Sequence, residues 1–242
     1  YVTDSTKRYT FTVNWGERRE SDDADGEVVE TSDVRPDRAA IEAALPAFVG
    51  MIEQVPPAYS AIKIEGQRAY AKARAGEDFV LQARTIEINA FDLVEILDAD
   101  RARFAVTSGK GAYMRALARE LAIAVGACGR LSDLRRIAVG PFVESAAISL
   151  EKLEQLGHSA AASPILLPIE TALDGIPALA LSDREAEKLR NGQAVPILRP
   201  QDRERIAAAG DDGIVLALEA TTPVALVRVD GIQIRPVRVL NL

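Results

Sequence analysis

Alternation of apolar and polar residues predicts several strands in the first 110 residues. From Arg8 to Trp15, apolar side chains fall on every second position, as in a half-buried strand. Thr85 to Leu97 and Arg103 to Ser108 alternate in the same way and predict a strand pair, and Glu27 to Thr31 predicts a further short strand.

Apolar residues at helical spacing predict helices between these strands. Asp37 to Val49 is the first, with Pro46 disfavouring its last turn, and Gly66 to Gly76 fits a short basic helix. A third helix from Tyr113 to Val125 follows a glycine-rich turn. Strands and helices in this mixed order indicate an α+β fold with a mainly antiparallel sheet.

The pattern changes in the last third of the chain. Val143 to Ile148 predicts a strand and Leu150 to Leu156 a helix, and a capping box at Ser182–Glu185 opens another helix. Three strands are then predicted at 214–218, 224–229 and 232–239. We therefore expect two domains, 1–175 and 176–242, the second a small β-rich barrel or sandwich.

Composition narrows the possible chemistry. The 242 residues are 48% hydrophobic and can bury a sizeable core, but no run reaches the roughly 18 to 20 apolar residues of a membrane span. Cys128 and His158 are the only residues of their types, which disfavours zinc cages and Ser-His-Asp or Cys-His catalysis. His158 is predicted to be a solvated linker residue. We expect a cytoplasmic protein without a metal or cofactor.

Charge is unevenly distributed along the chain. The net charge is -7, yet residues 101–140 carry eight basic side chains against Glu120 and Asp133, a local balance of +6 that leaves -13 elsewhere. This distribution predicts a groove for a polyanion on an otherwise acidic protein; a solvated helix face is the alternative. The eight basic residues are Arg101, Arg103, Lys110, Arg115, Arg119, Arg130, Arg135 and Arg136.

Ser108-Gly109-Lys110-Gly111 lies between a predicted strand and a predicted helix but fails as a phosphate-binding Walker loop, because Phe104 and Gly111 replace required residues. We interpret it as a tight turn that presents Tyr113 and Arg115 on different walls of one site. The alternative is a capped surface turn with one buried tyrosine.

Four sequence blocks follow one another along the first 140 residues. They are Lys7-Arg8-Tyr9 followed by 22–27, Gln54 to Lys63 with Gly66 and Tyr70 beyond, the run from Ser108 to Arg115, and Leu134 to Gly140. In this order they resemble the TruB family of tRNA pseudouridine synthases, and the most specific is the run from Ser108 to Arg115, similar to the family's S-K-G-x-Y-x-R signature. The tail resembles, more weakly, a PUA-like domain.

The resemblance implies isomerisation of one T-loop uridine of tRNA, at tRNA position 55, after the base is flipped from its stack and without a cofactor. It assigns Tyr9 to stack on the uracil, Tyr113 and Leu134 to wall the pocket, and Arg115 to pair with a nucleophilic aspartate. A thumb-like region near 54–78 would close over the RNA. The predicted RNA-binding residues are Asp23, also a second partner for Arg115, and Lys63, Arg68, Tyr70, Lys72, Arg74, Lys110, Arg135 and Arg136.

One departure from the family concerns the nucleophile. It belongs to a G-x-x-D-P type motif upstream of Lys7, and the chain contains no Asp-Pro dipeptide. We therefore expect an N-terminally incomplete catalytic domain, inactive by itself and monomeric. A noncatalytic tRNA-binding or tRNA-folding protein is the alternative, and a metabolic enzyme with a phosphate site would need a nucleotide loop that the sequence does not show.

Overall fold

The computed structural model describes residues 2–64, 66–156, 165–197, 202, 206 and 213–241. The chain divides into two compact units, Tyr1–Ile148 and Ser149–Leu242, which we treat separately. The predictions for His158 and the small-residue stretch around it lie outside the described residues.

The first unit is built on a six-stranded sheet of order β10-β9-β1-β8-β7-β4, in which every pair of neighbours is antiparallel. This arrangement confirms the predicted α+β class. Hairpins β2-β3 and β5-β6 form two small separate sheets. The strands are β1 (Lys7–Trp15), β2 (Glu17–Arg19), β3 (Val28–Thr31), β4 (Gly50–Gln54), β5 (Lys63–Ile64), β6 (Gln67–Arg68), β7 (Arg84–Asp98), β8 (Arg101–Ser108), β9 (Gly129–Val139) and β10 (Phe142–Val143).

Three α-helices accompany this sheet: α1 (Arg38–Ala44), α2 (Ala69–Arg74) and α3 (Met114–Ala124). The Asp37 side chain caps α1 by accepting a hydrogen bond from the backbone N–H of Ala40. The predicted helix over 37–49 ends early as an α-helix and continues as a 3-10 turn, Leu45–Phe48, because Pro46 lacks an N–H.

Packing of α3 against the sheet makes the core of the first unit. Leu117 and Leu121 of α3 are fully buried, and Phe11 of β1 stacks on Phe104 of β8 with ring centroids 5.8 Å apart. Gly129 permits this close approach, since a Cβ there would lie 2.9 Å from the Cβ of Ala122. The helix is therefore fixed firmly above β1 and β9.

The strand predicted at Val143 to Ile148 is wrong over most of its length. Only Phe142–Val143 pairs with β9, and a 3-10 turn, Glu144–Ala146, follows. Residues 144–148 are all exposed, so the apolar alternation in this stretch has no buried face to occupy.

The second unit contains a five-stranded sheet of order β11-β13-β14-β15-β12. Its three long strands, its helix α6 and the capping box at Ser182 and Glu185 confirm the predictions for this part of the chain. The parallel pairing of β11 with β13 was not predicted. The elements are α4 (Leu150–Leu156), α5 (Ile169–Ala172), β11 (Ala178–Leu181), α6 (Asp183–Arg190), β12 (Val195–Pro196), β13 (Ile214–Glu219), β14 (Thr222–Asp230) and β15 (Gln233–Val239).

The division between the units falls earlier than the predicted boundary at 175. Leu173, just after α5, is buried against Leu216 and Leu226 of the second sheet. Apolar burial therefore attaches this part of the predicted first domain to the second unit.

Two absences hold for the parts of the chain that the structure describes. None of their helices has the length and hydropathy needed to cross a lipid bilayer. Nor do three or more of their His, Cys, Asp and Glu side chains gather where they could hold a metal ion.

Candidate active site

Tyr113 is fixed at the start of α3 by a buried glutamine from β4. Gln54, 1% exposed, accepts a hydrogen bond from the Tyr113 N–H at 2.8 Å and donates one to the Tyr113 carbonyl at 3.2 Å. Tyr113 therefore has an extended backbone and is the N-cap of α3, not its first helical residue. The prediction that Tyr113 and Arg115 lie on different walls of one site treated both residues as helical, and for Tyr113 that assumption is wrong.

Arg115, in the first turn of α3, holds two separate loops. Its guanidinium donates to the carbonyl of Ser21 at 3.2 Å and to the carbonyl of Tyr59 at 2.9 Å. Its Nε lies 3.8 Å from Oδ2 of Asp23, which brings together the predicted pair. These contacts give the guanidinium a defined orientation beside a half-exposed carboxylate.

Arg119 lies one helical turn after Arg115 in α3 and contacts the same two loops, around residues 21–23 and 55–59. It forms an ion pair with Asp22, donates to the carbonyl of Val55 at 2.7 Å and contacts Glu120 at 3.1 Å. Burial raises the pKa of Asp22, and the Arg119 guanidinium acts against that rise. These contacts of Arg119 were not predicted from the sequence, although its spacing of four residues from Arg115 places both arginines on one helix face.

Tyr9 lies near the start of β1 and is partly buried against the core. Its cross-strand neighbours are Val106 of β8 and Arg136 of β9, whose side chains project from the same face of the sheet. Lys7 of β1 faces Ser108, which ends β8 just before the turn toward Tyr113. Tyr9 and Tyr113 thus belong to the same end of the sheet.

Leu134 projects from a β-bulge in β9. Ser132 pairs with Thr12 and Arg135 with Thr10, so Asp133 and Leu134 together oppose a single residue of β1. Asp133 adopts a left-handed backbone with φ of 47°, and Leu134 is 48% exposed. The bulge presents an apolar side chain two strand positions from Arg136, the neighbour of Tyr9.

The thumb-like region begins beside Arg115, whose guanidinium contacts the Tyr59 carbonyl. The Tyr59 hydroxyl donates to Glu20 at 2.8 Å, and the Tyr70 N–H of α2 donates to the Ser60 carbonyl at 3.0 Å. A cavity of about 350 Å³ lies between Glu20, Tyr59 and the residues around α2. Hydrogen bonds therefore run from α2 through residues 59 and 60 to Arg115.

The predicted RNA-binding cations of this region differ in their surroundings. Lys63 and Arg68 face each other across the β5-β6 hairpin and are exposed, without an ion pair among the described residues. Lys72 forms an ion pair with Glu77 at 3.0 Å, and Arg74 lies 5.9 Å from the centre of the Tyr70 ring. Two facing positive charges repel each other, which an anionic ligand would relieve.

The basic segment 101–140 is largely neutralised within the protein. Seven of its eight basic residues form ion pairs, and over the described residues only Arg136 does not. Of the predicted RNA contacts, Lys110 pairs with Asp4 at 2.7 Å and Arg135 pairs with Glu144. The local charge of +6 is thus not a free positive surface, and the predicted groove loses that support.

Two family models match consecutive parts of the chain. Residues 1–114 match the TruB family pseudouridylate synthase N-terminal domain, and residues 115–174 match the tRNA pseudouridylate synthase B C-terminal domain. The chain is 48% identical over its whole length to tRNA pseudouridine synthase B of Rhodospirillum rubrum, covering 79% of that protein. It is 50% identical over 241 residues to the protein of that name from Gluconacetobacter diazotrophicus, covering 99% of this chain and 79% of the relative.

Solved structures give the fold. A chain in an H/ACA RNP bound to a substrate RNA containing 2'-deoxyuridine superposes with a TM-score of 0.69 at 16% identity, over 100% of this chain and 68% of that one. A chain of a Cbf5-Nop10-Gar1 complex gives 0.67 at 21% identity, over 97% and 66%. The antiparallel sheet with its helices is therefore a fold of the kind shared by Cbf5 and TruB pseudouridine synthases. Within that class, the chain belongs to the TruB family of pseudouridylate synthases.

Proposed function

We propose that this protein converts the uridine at position 55, in the T loop of tRNA, to pseudouridine. The observation that carries the proposal is family membership over the whole chain, with relatives named tRNA pseudouridine synthase B. In this reaction the bond between N1 of uracil and C1′ of ribose breaks and the base turns. A C5–C1′ bond then forms while C5 loses a proton and N1 gains one. No atom is added or lost.

The base must leave its stack before these bonds can change, so the site needs a flat surface for it. We assign that surface to Tyr9, with Leu134 and Tyr113 as the other walls. Leu134 is suited to contact an incoming base, because the bulge in β9 leaves half of its side chain exposed. Arg136, cross-strand from Tyr9 and without an ion pair in the described parts of the chain, is suited to a nearby phosphate.

Arg115 is assigned to the nucleophilic aspartate. A guanidinium beside a carboxylate favours its ionised form and fixes its direction, and Arg115 is already oriented by two carbonyls and Asp23. The chain contains no Asp-Pro dipeptide, so we place the nucleophile outside these 242 residues. The 242-residue chain alone would then bind tRNA without modifying it.

We assign RNA binding to the thumb-like region near 54–78 and to Arg136. Lys63 and Arg68 repel each other across their hairpin, and a phosphate between them would remove that repulsion. The exposed Tyr70 ring offers a stacking surface next to Arg74. Lys72, Lys110, Arg135 and Asp23 are weaker candidates, because each already has an ionic partner in the protein.

The test compares two forms of the protein on an unmodified T-arm transcript. We expect the 242-residue chain to bind the RNA without forming pseudouridine, and the same chain preceded by its encoded upstream sequence to form it. Arg115→Lys in the longer form should reduce the rate by about 100-fold, since an ammonium cannot hold both carbonyls and the aspartate. Its matched control is Arg103→Lys, which changes an exposed arginine of β8 that pairs with Glu95 of β7.

Two results would change the proposal. Full-rate conversion by the 242-residue chain would show that the nucleophile lies within it. Salt-dependent tRNA binding by the longer form without any conversion would favour a noncatalytic tRNA-binding or tRNA-folding protein, for which the lack of an Asp-Pro dipeptide is the supporting observation.

A further inference from the structure

Asp22 is an unusual position for a charge. Its side chain is 5% exposed and its backbone adopts the left-handed conformation, with φ of 60°. Its N–H donates to the carbonyl of Arg19 at 3.0 Å, and its own carbonyl accepts from the N–H of Leu131 at 3.1 Å. Burying a carboxylate is costly without a partner, and Arg119 supplies one from α3.

The next residue along the chain is Asp23, which faces Arg115. Fixing Asp22 at its backbone and its side chain therefore fixes the point from which Asp23 projects. Arg119 also donates to the Val55 carbonyl at 2.7 Å, and thus anchors the segment whose Tyr59 carbonyl accepts from Arg115. All three partners of the Arg115 guanidinium, at residues 21, 23 and 59, therefore lie on loops that Arg119 holds.

We propose that the buried Asp22–Arg119 ion pair is a positioning device for Arg115. It holds the loop around 21–23 and the segment 55–59 at a fixed distance from α3, so that the Arg115 guanidinium keeps one orientation toward Asp23 and the nucleophile. This inference rests on the proposed isomerase function. Asp22 and Arg119 touch no reacting atom in it and act only through Arg115 and Asp23.

An ion pair that served stability alone would not need these connections. Arg130 and Glu17 provide the comparison: their contact is 2.7 Å, their side chains are 16% and 29% exposed, and they join β9 to β2. Over the described residues, neither side chain contacts Ser21, Asp23 or Tyr59, the partners of Arg115; the other ionic contact of Glu17 is with Arg19. Loss of either pair should lower stability, but only loss of Asp22–Arg119 should disturb Arg115.

The test uses Asp22→Asn, which keeps the shape of the side chain, with Glu17→Gln as the matched control. In the longer, active form, Asp22→Asn should lower kcat about tenfold with little change in KM, because geometry and not RNA affinity is altered. Asp23→Asn should lower kcat as well. In the Asp23→Asn background, Asp22→Asn should add little, since the contact it positions is already lost.

A second readout does not depend on activity. In the 242-residue chain, the Nε–Hε NMR signal of Arg115, assigned with Arg115→Lys, should shift in Asp22→Asn and stay in place in Glu17→Gln. If the wild-type longer form makes no pseudouridine, the proposed function fails while this signal still reports on the positioning device. An unmoved Arg115 signal, or kcat losses in Asp22→Asn and Asp23→Asn that simply multiply, would overturn the inference.

Discussion

The two basic regions of the first unit use their charge differently. Between 101 and 140, several basic side chains pair with acids far away in sequence, as Arg130 does with Glu17 and Lys110 with Asp4. In the thumb-like region, Lys63 and Arg68 face each other without an acidic partner among the described residues. A sum of charges over a sequence window favours the first region, whereas the ion pairs favour the second as the surface for RNA.

This contrast separates cations that shape the protein from cations that are free to bind a ligand. A guanidinium that bridges a buried carboxylate and a backbone carbonyl stabilises the folded protein and has fewer N–H groups left for a ligand. An exposed cation next to another cation gains from the arrival of a phosphate.

Arg119→Gln should cause the largest loss. It leaves the buried Asp22 carboxylate without its partner, and breaking a buried pair in this way costs about 3 kcal/mol of unfolding free energy. Urea denaturation should show a lower midpoint with an unchanged slope. The control is Arg101→Gln, which removes an arginine whose pair with Asp98 is half exposed. A loss below about 1 kcal/mol in Arg119→Gln would contradict the structural role.

The double variant Lys63→Ala/Arg68→Ala should act on RNA binding without a comparable effect on folding. If each cation neutralises one phosphate, the slope of log Kd against log salt should fall by about 1.8. Affinity for a T-arm transcript should drop about tenfold. Arg101→Ala/Arg103→Ala removes the same number of charges from the ion-paired region and should leave the slope unchanged. Equal effects of the two double variants would remove the distinction between the regions.

Asp133 lies in the basic segment, but its structural role comes from its backbone conformation and not from its charge. Its φ of 47° shapes the bulge that carries Leu134, and a β-branched residue tolerates this conformation poorly. Asp133→Val should cost about 1 kcal/mol of stability, whereas Asp133→Asn and Asp133→Gly should cost less. Thermal denaturation of the three variants gives the ranking. A valine variant as stable as the asparagine variant would show that the bulge does not depend on this backbone conformation.

Local sequence patterns predicted the strands and helices whose own residues show which face is buried or where the element begins. Strands β1, β7 and β8 alternate over eight or more residues, and the helix at 183–190 has its own capping box. Strand β4 and the parallel pairing of β11 were missed, because both are short and depend on partners remote in sequence.

Within the candidate site, sequence identified side chains better than their surroundings. Arg115 and Asp23 were predicted to meet, and they do. Tyr113 was placed inside a helix, because nothing local shows that Gln54, 59 residues away, satisfies its backbone N–H and carbonyl. The partners of Lys110, Arg119 and Arg130 were missed for the same reason, since they lie 106, 97 and 113 residues away and leave no pattern along the chain.

Glu17 gives the smallest expected effect and tests whether ion pairs of the basic segment stabilise the fold at all. Hydrogen bonds from Arg130 and Arg19 hold the pKa of Glu17 below its ordinary value of 4.5. A carboxylate with a lowered pKa in the folded state stabilises the protein above the ordinary pKa, and this contribution is lost as pH falls through the folded value. Glu17→Gln should therefore destabilise the protein by about 0.5 kcal/mol at neutral pH, with the difference from wild type shrinking below pH 4.5. Thermal denaturation of both proteins from about pH 3 to about pH 7 would measure this difference in stability. A difference that stays constant with pH would mean that Glu17 acts through packing and that its ionic contact with Arg130 contributes no stability.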